Sequence, residues 1–540
     1  MKLRFKLLFA VILILAFVLR FYHLGVNPPS LDWDETALGY NAYSLLKTGR
    51  DEYGTRFPIS LRSFDDYKPP MYVYLTIPSV AIFGLNDWAV RFPSALLGTL
   101  TVLVFFFLVR EILGKPKLAL LATLFLAISP WHLQFSRIAF EANVALSFTV
   151  FGAWAFFRGL KKGKFLVLSA LFFGLALYSY HSARVFVPLL GLGLILMFRK
   201  RLLKFWRYCL IAAVIGIIFA IPLLNIMTSV EGRMRLKGVS SLTDQAVLYP
   251  SIAKIQEDQE KGNLLLGRLV HNRRLVFAKI LLQGYFYHFN LNWLFLKGDL
   301  PRHHAPNAGL LYLWELPFVL AGIYFLIKKK PKFYQVIFLW LLLAPAPAAP
   351  TTELPHSIRT LNMVIPLSII SAYGFYAFLQ AIRKKRALIK NSLLFFIGGL
   401  LLVNFLYYLH QYHAHMPLEW SSDWQYGRKE AVEVTESLKK DYEKVVVSTE
   451  LEQPHMFWLY YLKYDPEKYL SEGGTNSGGF AEARNKFDKY EFRPIKWEKD
   501  QGAENILFVG LPEEFPGGIE AIKTIDYLNG EEAIKIVEKI

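Results

Sequence analysis

Long apolar segments alternate with short polar segments along most of this chain of 540 residues. A helix needs about 20 mostly apolar residues to cross the hydrocarbon core of a bilayer. By that measure about eleven segments are long enough to span a membrane. They lie near residues 5–22, 88–109, 118–135, 142–159, 165–180, 183–198, 208–228, 309–327, 333–349, 358–381 and 392–410. The pattern predicts a polytopic α-helical membrane protein.

Two connections between these predicted spans are long, at residues 23–87 and 229–308. The first contains an apolar stretch at residues 69–83. That stretch is short for a span, so we expect it to be re-entrant or interfacial. This assignment leaves both long connections on the same side of the membrane.

The chain changes character toward its C-terminal end, where Lys and Glu become frequent and long apolar runs cease. Residues 445–447 and 506–509 have the composition of buried strands. Asn529-Gly530 separates two further strand-like segments, which predicts a hairpin with a tight turn. We therefore expect a membrane domain at residues 1–410 and a small, soluble α/β domain at residues 411–540.

Positive charge is unevenly distributed among the connections. Six of them are basic: residues 2–6, 110–117, 158–164, 199–207, 328–332 and 383–390. Three connections that alternate with them contain few Lys or Arg residues: 136–143, 178–184 and 344–356. Lys and Arg concentrate in the cytoplasmic loops of membrane proteins. We expect a cytoplasmic N-terminus, with the long connections and the C-terminal domain outside the cytoplasmic (inner) membrane.

The composition agrees with a membrane protein. Hydrophobic residues make up 54% of the chain and charged residues 19%, below the roughly 25% of an average soluble protein. The net charge of +18 lies mostly in the basic connections, so it does not indicate nucleic-acid binding. The one cysteine, Cys209, lies in an apolar run, which excludes a disulfide framework and a Cys-based metal site.

One acidic stretch, Leu31-Asp32-Trp33-Asp34-Glu35-Thr36-Ala37, follows the first predicted span. Adjacent carboxylates in a partly desolvated site need cationic partners or shifted pKa values. A general base depends on such tuning, so Asp34 and Glu35 are candidates for chemistry. The alternative is that these acids cap or solvate the start of a helix near Thr36.

Cationic residues on the predicted external side are a second candidate group, because topology disfavours positive charge there. They are Lys68, Arg91, Arg137, Arg184, Arg302 and Arg359. Phosphate is a usual partner of such side chains. Each could instead anchor a span or pair with an acid. Arg137 and Glu141, for example, have the i, i+4 spacing of an ion pair on a helix.

Several histidines raise the question of a metal site: His132, His181, His303, His304 and His356. No H-E-x-x-H motif is present. The adjacent His303 and His304 cannot easily face one ion, which favours structural or hydrogen-bonding roles. A divalent metal site that combines His303 with Asp34 or Asp66 stays open, although no motif supports it. We predict that no cofactor is required.

Three motifs together resemble a known family. Asp34-Glu35 after the first span, Lys68-Pro69-Pro70-Met71-Tyr72, and Asn86-Asp87-Trp88-Ala89-Val90-Arg91-Phe92-Pro93-Ser94-Ala95-Leu96 resemble the N-terminal signature of the protein O-mannosyltransferase / aminoarabinose transferase superfamily. Ser136-Arg137 with Glu141 resembles its second acidic loop motif. The resemblance thins to topology beyond about residue 200. It implies a polytopic glycosyltransferase of the GT-C type that takes a sugar from a polyprenyl-phosphate carrier and usually inverts the anomeric centre.

The resemblance also implies roles for single residues. Asp34 matches the acid that activates the acceptor hydroxyl, and Glu35 matches its neighbour. Lys68 matches the lysine at the donor phosphate in the aminoarabinose enzymes. Those enzymes place an acid immediately before the lysine, whereas here Asp66 lies two residues before it. A metal role for that acid is therefore not carried over.

We predict an inverting glycosyltransferase that moves a hexose or pentose from a polyprenyl-phosphate sugar to an acceptor hydroxyl at the external membrane face. The acceptor is a protein, a lipid or a glycan. The predicted site comprises the base Asp34, the supporting acids Glu35 and Glu141, and the phosphate-binding residues Lys68, Arg137, Arg302 and Arg359. A multi-span transporter or flippase of lipid-linked or anionic solutes is the alternative, but transporters often have charges near the bilayer midplane and repeated halves.

Overall fold

A computed structural model describes residues 3–64, 66–229, 232, 238, 240–243, 245–477, 485–500 and 505–539. Parts of the predicted second long connection lie outside the described residues: 230, 231, 233–237, 239 and 244.

Helices form most of the chain before its C-terminal part. The first are α1 (Leu3–Phe21), α2 (Trp33–Thr48), α3 (Met71–Phe83), α4 (Asp87–Leu113), α5 (Pro116–Ile128), α6 (Pro130–Ser136), α7 (Glu141–Gly159), α8 (Lys164–Leu177), α9 (Ala183–Leu202) and α10 (Trp206–Thr228). Further along lie helices Tyr249–Glu260, Leu264–Val270, Arg273–Tyr287, Glu315–Lys329, Tyr334–Leu343, Val364–Ile382, Ala387–His410, Met416–Glu419, Arg428–Leu438, Pro454–Tyr461, Pro466–Ser471 and Trp497–Asp500.

The strands among the described residues form two sheets. They are β1 (Leu61–Ser63), β2 (Asp66–Lys68), β3 (Lys444–Val447), β4 (Lys486–Phe487), β5 (Tyr490–Phe492), β6 (Ile506–Gly510), β7 (Lys523–Asp526) and β8 (Glu532–Lys539). Strands β1 and β2 form a small antiparallel pair, and the other six form one sheet in the order β4-β5-β3-β6-β8-β7.

Among the described residues, four helical segments are long and apolar enough to cross a membrane. They are Asp87–Leu113, Ala183–Thr228, Leu361–Ile382 and Ala387–Glu419. The pair α5 and α6, bent by 58°, makes a fifth if it is one broken span. These helices agree with a multi-pass membrane protein, but the predicted number of about eleven spans stays a prediction.

The difference in span count has a structural reason. The predicted spans 183–198 and 208–228 fall in one helical stretch, since only a 3₁₀ turn at Leu203–Phe205 separates α9 from α10. The predicted span 333–349 contains a helix of 10 residues, Tyr334–Leu343. An apolar run in the sequence therefore does not always form a helix of spanning length.

The chain divides into two compact units. Unit 1 comprises Met1–Ile12, Thr101–His132 and Ala145–Phe405, and unit 2 comprises Leu13–Leu100, Leu133–Val144 and Leu406–Ile540. The predicted domain boundary at residues 410 and 411 stays a prediction.

Glycines allow two helices of unit 1, Glu315–Lys329 and Val364–Ile382, to approach closely. A Cβ atom on Gly322 would lie 2.0 Å from the backbone oxygen of Ile370, and one on Gly374 would lie 1.9 Å from that of Phe318. These helices therefore pack backbone against backbone, as small residues permit in membrane proteins.

In unit 2, the chain after α2 forms the β1–β2 pair and then the apolar helix α3. This helix has 13 residues, which is short for a span. The Tyr72 hydroxyl of α3 donates to the backbone oxygen of Val90 at 2.9 Å, and the Ser79 hydroxyl donates to that of Ala89 at 2.6 Å. These bonds fix α3 against the start of α4, so the last part of the first long connection packs on the helix that follows it.

The six-stranded sheet of unit 2 is mixed. Strand β3 pairs in parallel with β5 and β6, whereas β8 is antiparallel to both β6 and β7. Val446, Phe508 and Val537, from three neighbouring strands, are buried in one apolar cluster. The strands predicted at 445–447 and 506–509 thus lie side by side at the centre of the sheet.

Candidate active site

The acidic stretch of the sequence forms the first turn of α2. Asp32 is the N-cap, and its Oδ1 atom accepts a hydrogen bond from the backbone N–H of Glu35 at 2.8 Å. The side chain of Asp32 is buried. N-capping carboxylates satisfy the free N–H groups at a helix start and favour its positive dipole end. The capping alternative is therefore correct for Asp32, while Asp34 and Glu35 make other contacts.

Asp34 forms an ion pair with Lys68 of β2. The side chain of Asp34 is 33% exposed and that of Lys68 is 12% exposed. Burial lowers the pKa of Lys68, but the Asp34 and Glu141 carboxylates outweigh burial and raise it above its ordinary value. Lys68 therefore stays protonated at neutral pH, and the Asp34 carboxylate lies at the accessible side of the pair.

Glu35 is the buried anchor of this region. Its carboxylate receives two hydrogen bonds from Arg91 of α4, Nε to Oε1 at 2.9 Å and Nη2 to Oε2 at 2.8 Å. The backbone N–H of Ala139 donates to Oε1 at 2.7 Å. Both charged side chains are almost fully buried. Glu35 thus connects α2 to α4 and to the turn before α7.

Arg91 also donates to the backbone oxygens of Leu24, Pro28 and Ser30, at 3.3, 2.8 and 2.5 Å. From the sequence, Arg91 was a candidate for phosphate binding or for an ion pair, and the structure contains the ion pair with Glu35. Arg91 was a candidate because it lies in the N-terminal signature motif, but nothing in the sequence indicated that it pairs with Glu35.

Glu141 is the first residue of α7 and is buried, with 8% of its surface exposed. Its negative charge acts on Lys68 together with that of Asp34. Lys68 therefore lies among several carboxylates, and Glu141 belongs to the same polar cluster as Asp34.

Arg137 is buried in unit 2, where its guanidinium forms four hydrogen bonds within the chain. Its guanidinium donates to the Tyr412 hydroxyl at 3.0 Å and to the backbone oxygens of Leu19, Tyr22 and Asn27 at 2.7, 2.7 and 3.0 Å. These bonds use most of the donors of an arginine. Arg137 ties the end of α1 to the segment around Tyr412, and its predicted phosphate contact stays a prediction.

Arg302 and Arg359 lie in unit 1. Arg302 is in the short 3₁₀ turn Pro301–His303. Arg359 donates to the Thr351 hydroxyl at 2.8 Å and to the backbone oxygen of Thr352 at 2.6 Å. Their predicted roles in phosphate binding stay predictions.

Unit 1 also contains a group of residues that could hold a metal ion. Ligand atoms of Asp299, His303 and His356 lie within 4.8 Å of one another. The acid near His303 is thus Asp299, whereas Asp34 and Asp66 were the candidates from the sequence. The i, i+4 spacing of Asp299 and His303 was the available signal.

The donor types at this group fit a divalent transition metal, since imidazole nitrogens and one carboxylate are its common ligands. The Nδ1 atom of His356 is buried and has no hydrogen-bond partner among the described residues. The Asp299 carboxylate also accepts from His303 and from the backbone N–H of Ser357, at 3.0 and 2.6 Å. These three residues would hold the ion, and any chemistry it supplied would be Lewis-acid or structural.

Comparisons with known proteins agree with the sequence motifs. Residues 67–225 match the family model described as Dolichyl-phosphate-mannose-protein mannosyltransferase. The Bacillus subtilis (strain 168) protein named "Putative mannosyltransferase YkcB" is 31% identical over 106 residues, which are 20% of this chain and 15% of that protein. The chain therefore matches only a small part of the length of this relative.

Two solved structures share the fold. ArnT from Cupriavidus metallidurans bound to undecaprenyl phosphate is 12% identical, with a TM-score of 0.53 over 99% of this chain and 98% of that chain. The oligosaccharyltransferase AglB from Archaeoglobus fulgidus, in complex with an inhibitory peptide and a dolichol-phosphate, is also 12% identical. Its TM-score is 0.51, over 85% of this chain and 64% of that chain.

The match to the family model and the fold shared over nearly the whole length of ArnT confirm the resemblance seen in the sequence motifs. The chain is therefore similar to the family of that model over residues 67–225 and has the fold of ArnT over nearly its whole length.

Proposed function

We propose that the protein is an inverting glycosyltransferase in which Asp34 is the general base. The observation that carries this proposal is the pairing of Asp34 with Lys68 at the start of α2. The ammonium group stabilises the ionised carboxylate, which can then accept a proton. Asp34 is also the more exposed member of the pair, so an acceptor can approach it.

In the proposed reaction, Asp34 removes the proton from an acceptor hydroxyl while the hydroxyl oxygen attacks the anomeric carbon of the donor sugar. The bond between that carbon and the donor phosphate oxygen breaks, and the electron pair leaves with the phosphate. Such transfers pass through an oxocarbenium-like transition state. Attack from the face opposite the leaving group inverts the anomeric centre.

Lys68 would stabilise the negative charge that develops on the leaving phosphate. An ammonium group has three N–H donors, so Lys68 can contact Asp34 and a phosphate oxygen together. One cation then links the base to the leaving group and sets their separation. Arg137, Arg302 and Arg359 remain candidates for further phosphate contacts.

The buried pair of Glu35 and Arg91 supports this role by fixing the helix turn that carries Asp34. Catalysis by a general base depends on a geometry held within a fraction of an ångström. Burial raises the pKa of Glu141 to about 7 while Lys68 lowers it, so the ionised form of Glu141 and the Lys68 ammonium stabilise each other. We therefore assign Glu35 a positioning role and Glu141 an electrostatic one.

The donor class is proposed from the structural relatives. ArnT was solved with undecaprenyl phosphate and AglB with a dolichol-phosphate, and the matching family model is named for dolichyl-phosphate mannose. A polyprenyl-phosphate sugar is the corresponding donor for this chain, with transfer at the external membrane face. The proposal assigns no step to a metal ion.

The experiment uses purified full-length protein in liposomes that each contain one polyprenyl-phosphate sugar from a panel, together with a crude envelope fraction as acceptor. Release of free polyprenyl phosphate, with the sugar recovered on an acceptor, supports a transferase and identifies the donor. Movement of intact donor between leaflets with no release contradicts the proposal and favours a flippase.

A further inference from the structure

The first backbone N–H group of α2 is held by a side chain from the far end of the sequence. The Gln425 Oε1 atom accepts from the N–H of Trp33 at 2.9 Å. Gln425 is 2% exposed, and its Nε2 atom donates to the Glu452 carboxylate at 3.1 Å. The N–H groups of a first helical turn have no partner within the helix. Gln425 therefore supplies the partner one residue before Asp34 and is itself oriented by Glu452.

The preceding residue, Trp424, lies against Arg91, the ion-pair partner of Glu35. Its indole ring lies 6.0 Å from the guanidinium carbon of Arg91, the partner of Glu35. Trp424 is fully buried. A guanidinium over an indole face is stabilised by the electrons of the ring. The dipeptide Trp424-Gln425 thus acts on the helix turn of Asp34 and on the cation that binds Glu35.

The backbone around these contacts is held in an unusual conformation. Gln425, Glu452 and Gln453 have φ angles of +52°, +59° and +56°. Side chains other than glycine rarely adopt this left-handed region, and such residues cluster where surrounding structure over-determines them. Two of these three positions, Gln425 and Glu452, make the hydrogen-bond relay to Trp33. The surrounding structure therefore holds the backbone of Gln425 and Glu452 in the conformation that makes this relay.

We propose that Trp424 and Gln425 are positioning residues for the reaction, with Gln425 and Glu452 setting the orientation of the α2 turn that carries Asp34. The inference rests on the proposed role of Asp34 and extends it to residues of the C-terminal segment. The C-terminal segment then affects turnover by holding the first turn of α2. Loss of the relay releases this turn, while the bound donor keeps its contacts.

The first test is Gln425→Ala in the full-length protein, with donor turnover as the readout. A displaced base should lower kcat about 10- to 100-fold, while KM for the donor changes by no more than about twofold because donor binding is retained. Asn485→Ala is the matched control. Asn485 is a buried amide in the C-terminal part of unit 2, and its side chain forms hydrogen bonds with the backbone of residues 476 and 477. This control should leave kcat per folded molecule unchanged.

A reciprocal exchange separates positioning from general stability. Gln425→Glu alone places two carboxylates together and should lower kcat. When it is combined with Glu452→Gln, the new carboxylate at position 425 can accept both from the N–H of Trp33 and from the new amide at position 452. The kcat should then return to within about threefold of wild type. No recovery in the combined variant overturns the relay.

Hydrogen exchange provides a readout that is independent of activity. Amides of residues 31–38 should exchange faster in Gln425→Ala than in wild type, and no faster in Asn485→Ala. Equal protection in all three proteins contradicts the proposal.

Asp34→Asn, measured alongside, distinguishes the two hypotheses. Loss of turnover in Asp34→Asn with an unchanged kcat in Gln425→Ala overturns the positioning role and leaves the proposed function standing. Full turnover in Asp34→Asn overturns both.

Discussion

At the residue scale, two neighbouring carboxylates have opposite environments because a helix places consecutive side chains about 100° apart. Glu35 points inward to Arg91 and is fully buried, whereas Asp34 pairs with Lys68 and is 33% exposed. Burying a charge is tolerated only when it is paired and hydrogen-bonded. The same dipeptide can therefore supply a structural anchor and an accessible base.

We predict that Glu35→Gln destabilises the protein by about 3–5 kcal/mol, because it leaves the buried Arg91 charge without a counter-ion. The measurement is the free energy of unfolding in detergent. Glu491→Gln is the control, since its carboxylate is partly exposed and its ion pairs with Lys444 and Arg493 are long, at 3.9 and 3.8 Å. Each such pair is worth at most about 1 kcal/mol. Equal effects of the two substitutions would contradict the anchoring role of Glu35.

We also predict that Lys68→Met lowers kcat/KM for the donor about 100- to 1,000-fold, as expected when a group that stabilises a developing anion is lost. Release of polyprenyl phosphate is the readout. Lys47→Met, which removes an exposed lysine from the last turn of α2, should be neutral. A Lys68→Met protein with wild-type kcat/KM would rule out the phosphate role.

Residue types and motifs were sufficient to select Asp34, Glu35, Lys68 and Glu141 from the sequence. Their partners were not predictable, because an ion pair such as Glu35 with Arg91 joins positions 56 residues apart. Gln425 carried no signal at all, since a single amide in a polar segment is usually a surface residue. Only the folded arrangement brings it to the N–H of Trp33.

At the scale of elements, the loop after α2 is joined to the C-terminal part of unit 2 through a buried carboxylate. Glu52 accepts from the Asn41 amide at 2.9 Å and from the Thr475 hydroxyl at 2.7 Å. The backbone N–H of Thr475 also donates to the backbone oxygen of Glu52 at 3.0 Å. This network holds α2 to a segment more than 400 residues away in sequence.

Burial raises the pKa of Glu52 from 4.5 to about 7, against its hydrogen bonds from Asn41 and Thr475, which lower it. The folded state then binds a proton that the unfolded state releases near pH 4.5. The Glu52 contribution to stability is therefore full below about pH 4.5 and is lost as pH rises through about 7. The difference amounts to a few kcal/mol, on the order of 3.

The measurement is the unfolding midpoint of wild type and Glu52→Gln between pH 5 and 8. The wild type should lose stability relative to the variant as pH rises, because the amide stays neutral. Parallel pH profiles for the two proteins would contradict a raised pKa for Glu52.

The elements themselves were only partly predictable. The strands at 445–447 and 506–509 were recognisable because buried central strands are continuous apolar runs. The number of spans was less accessible, because helices such as Tyr334–Leu343 end inside their apolar runs. Hydropathy reports where a chain is apolar but not where a helix breaks.

At the scale of the whole molecule, the fold shared with ArnT extends over 99% of the chain, although only 12% of the residues are identical. The sequence motifs lay in the N-terminal third, which is also where the family model begins to match. The similarity to this family could thus be predicted from a few residues around α2, β2 and α4. The remaining helices follow the same architecture with little retained sequence, because apolar side chains in membrane helices substitute readily for one another.

The most direct test of the account compares wild type with Asp34→Asn for release of polyprenyl phosphate from the active donor in liposomes. Asn keeps the size of the side chain but cannot accept the proton, so turnover should fall by at least about 100-fold while donor binding persists. Asp66→Asn, which removes one negative charge from strand β2 two residues before Lys68, is the control and should retain turnover. Equal release by wild type and Asp34→Asn would contradict Asp34 as the catalytic base.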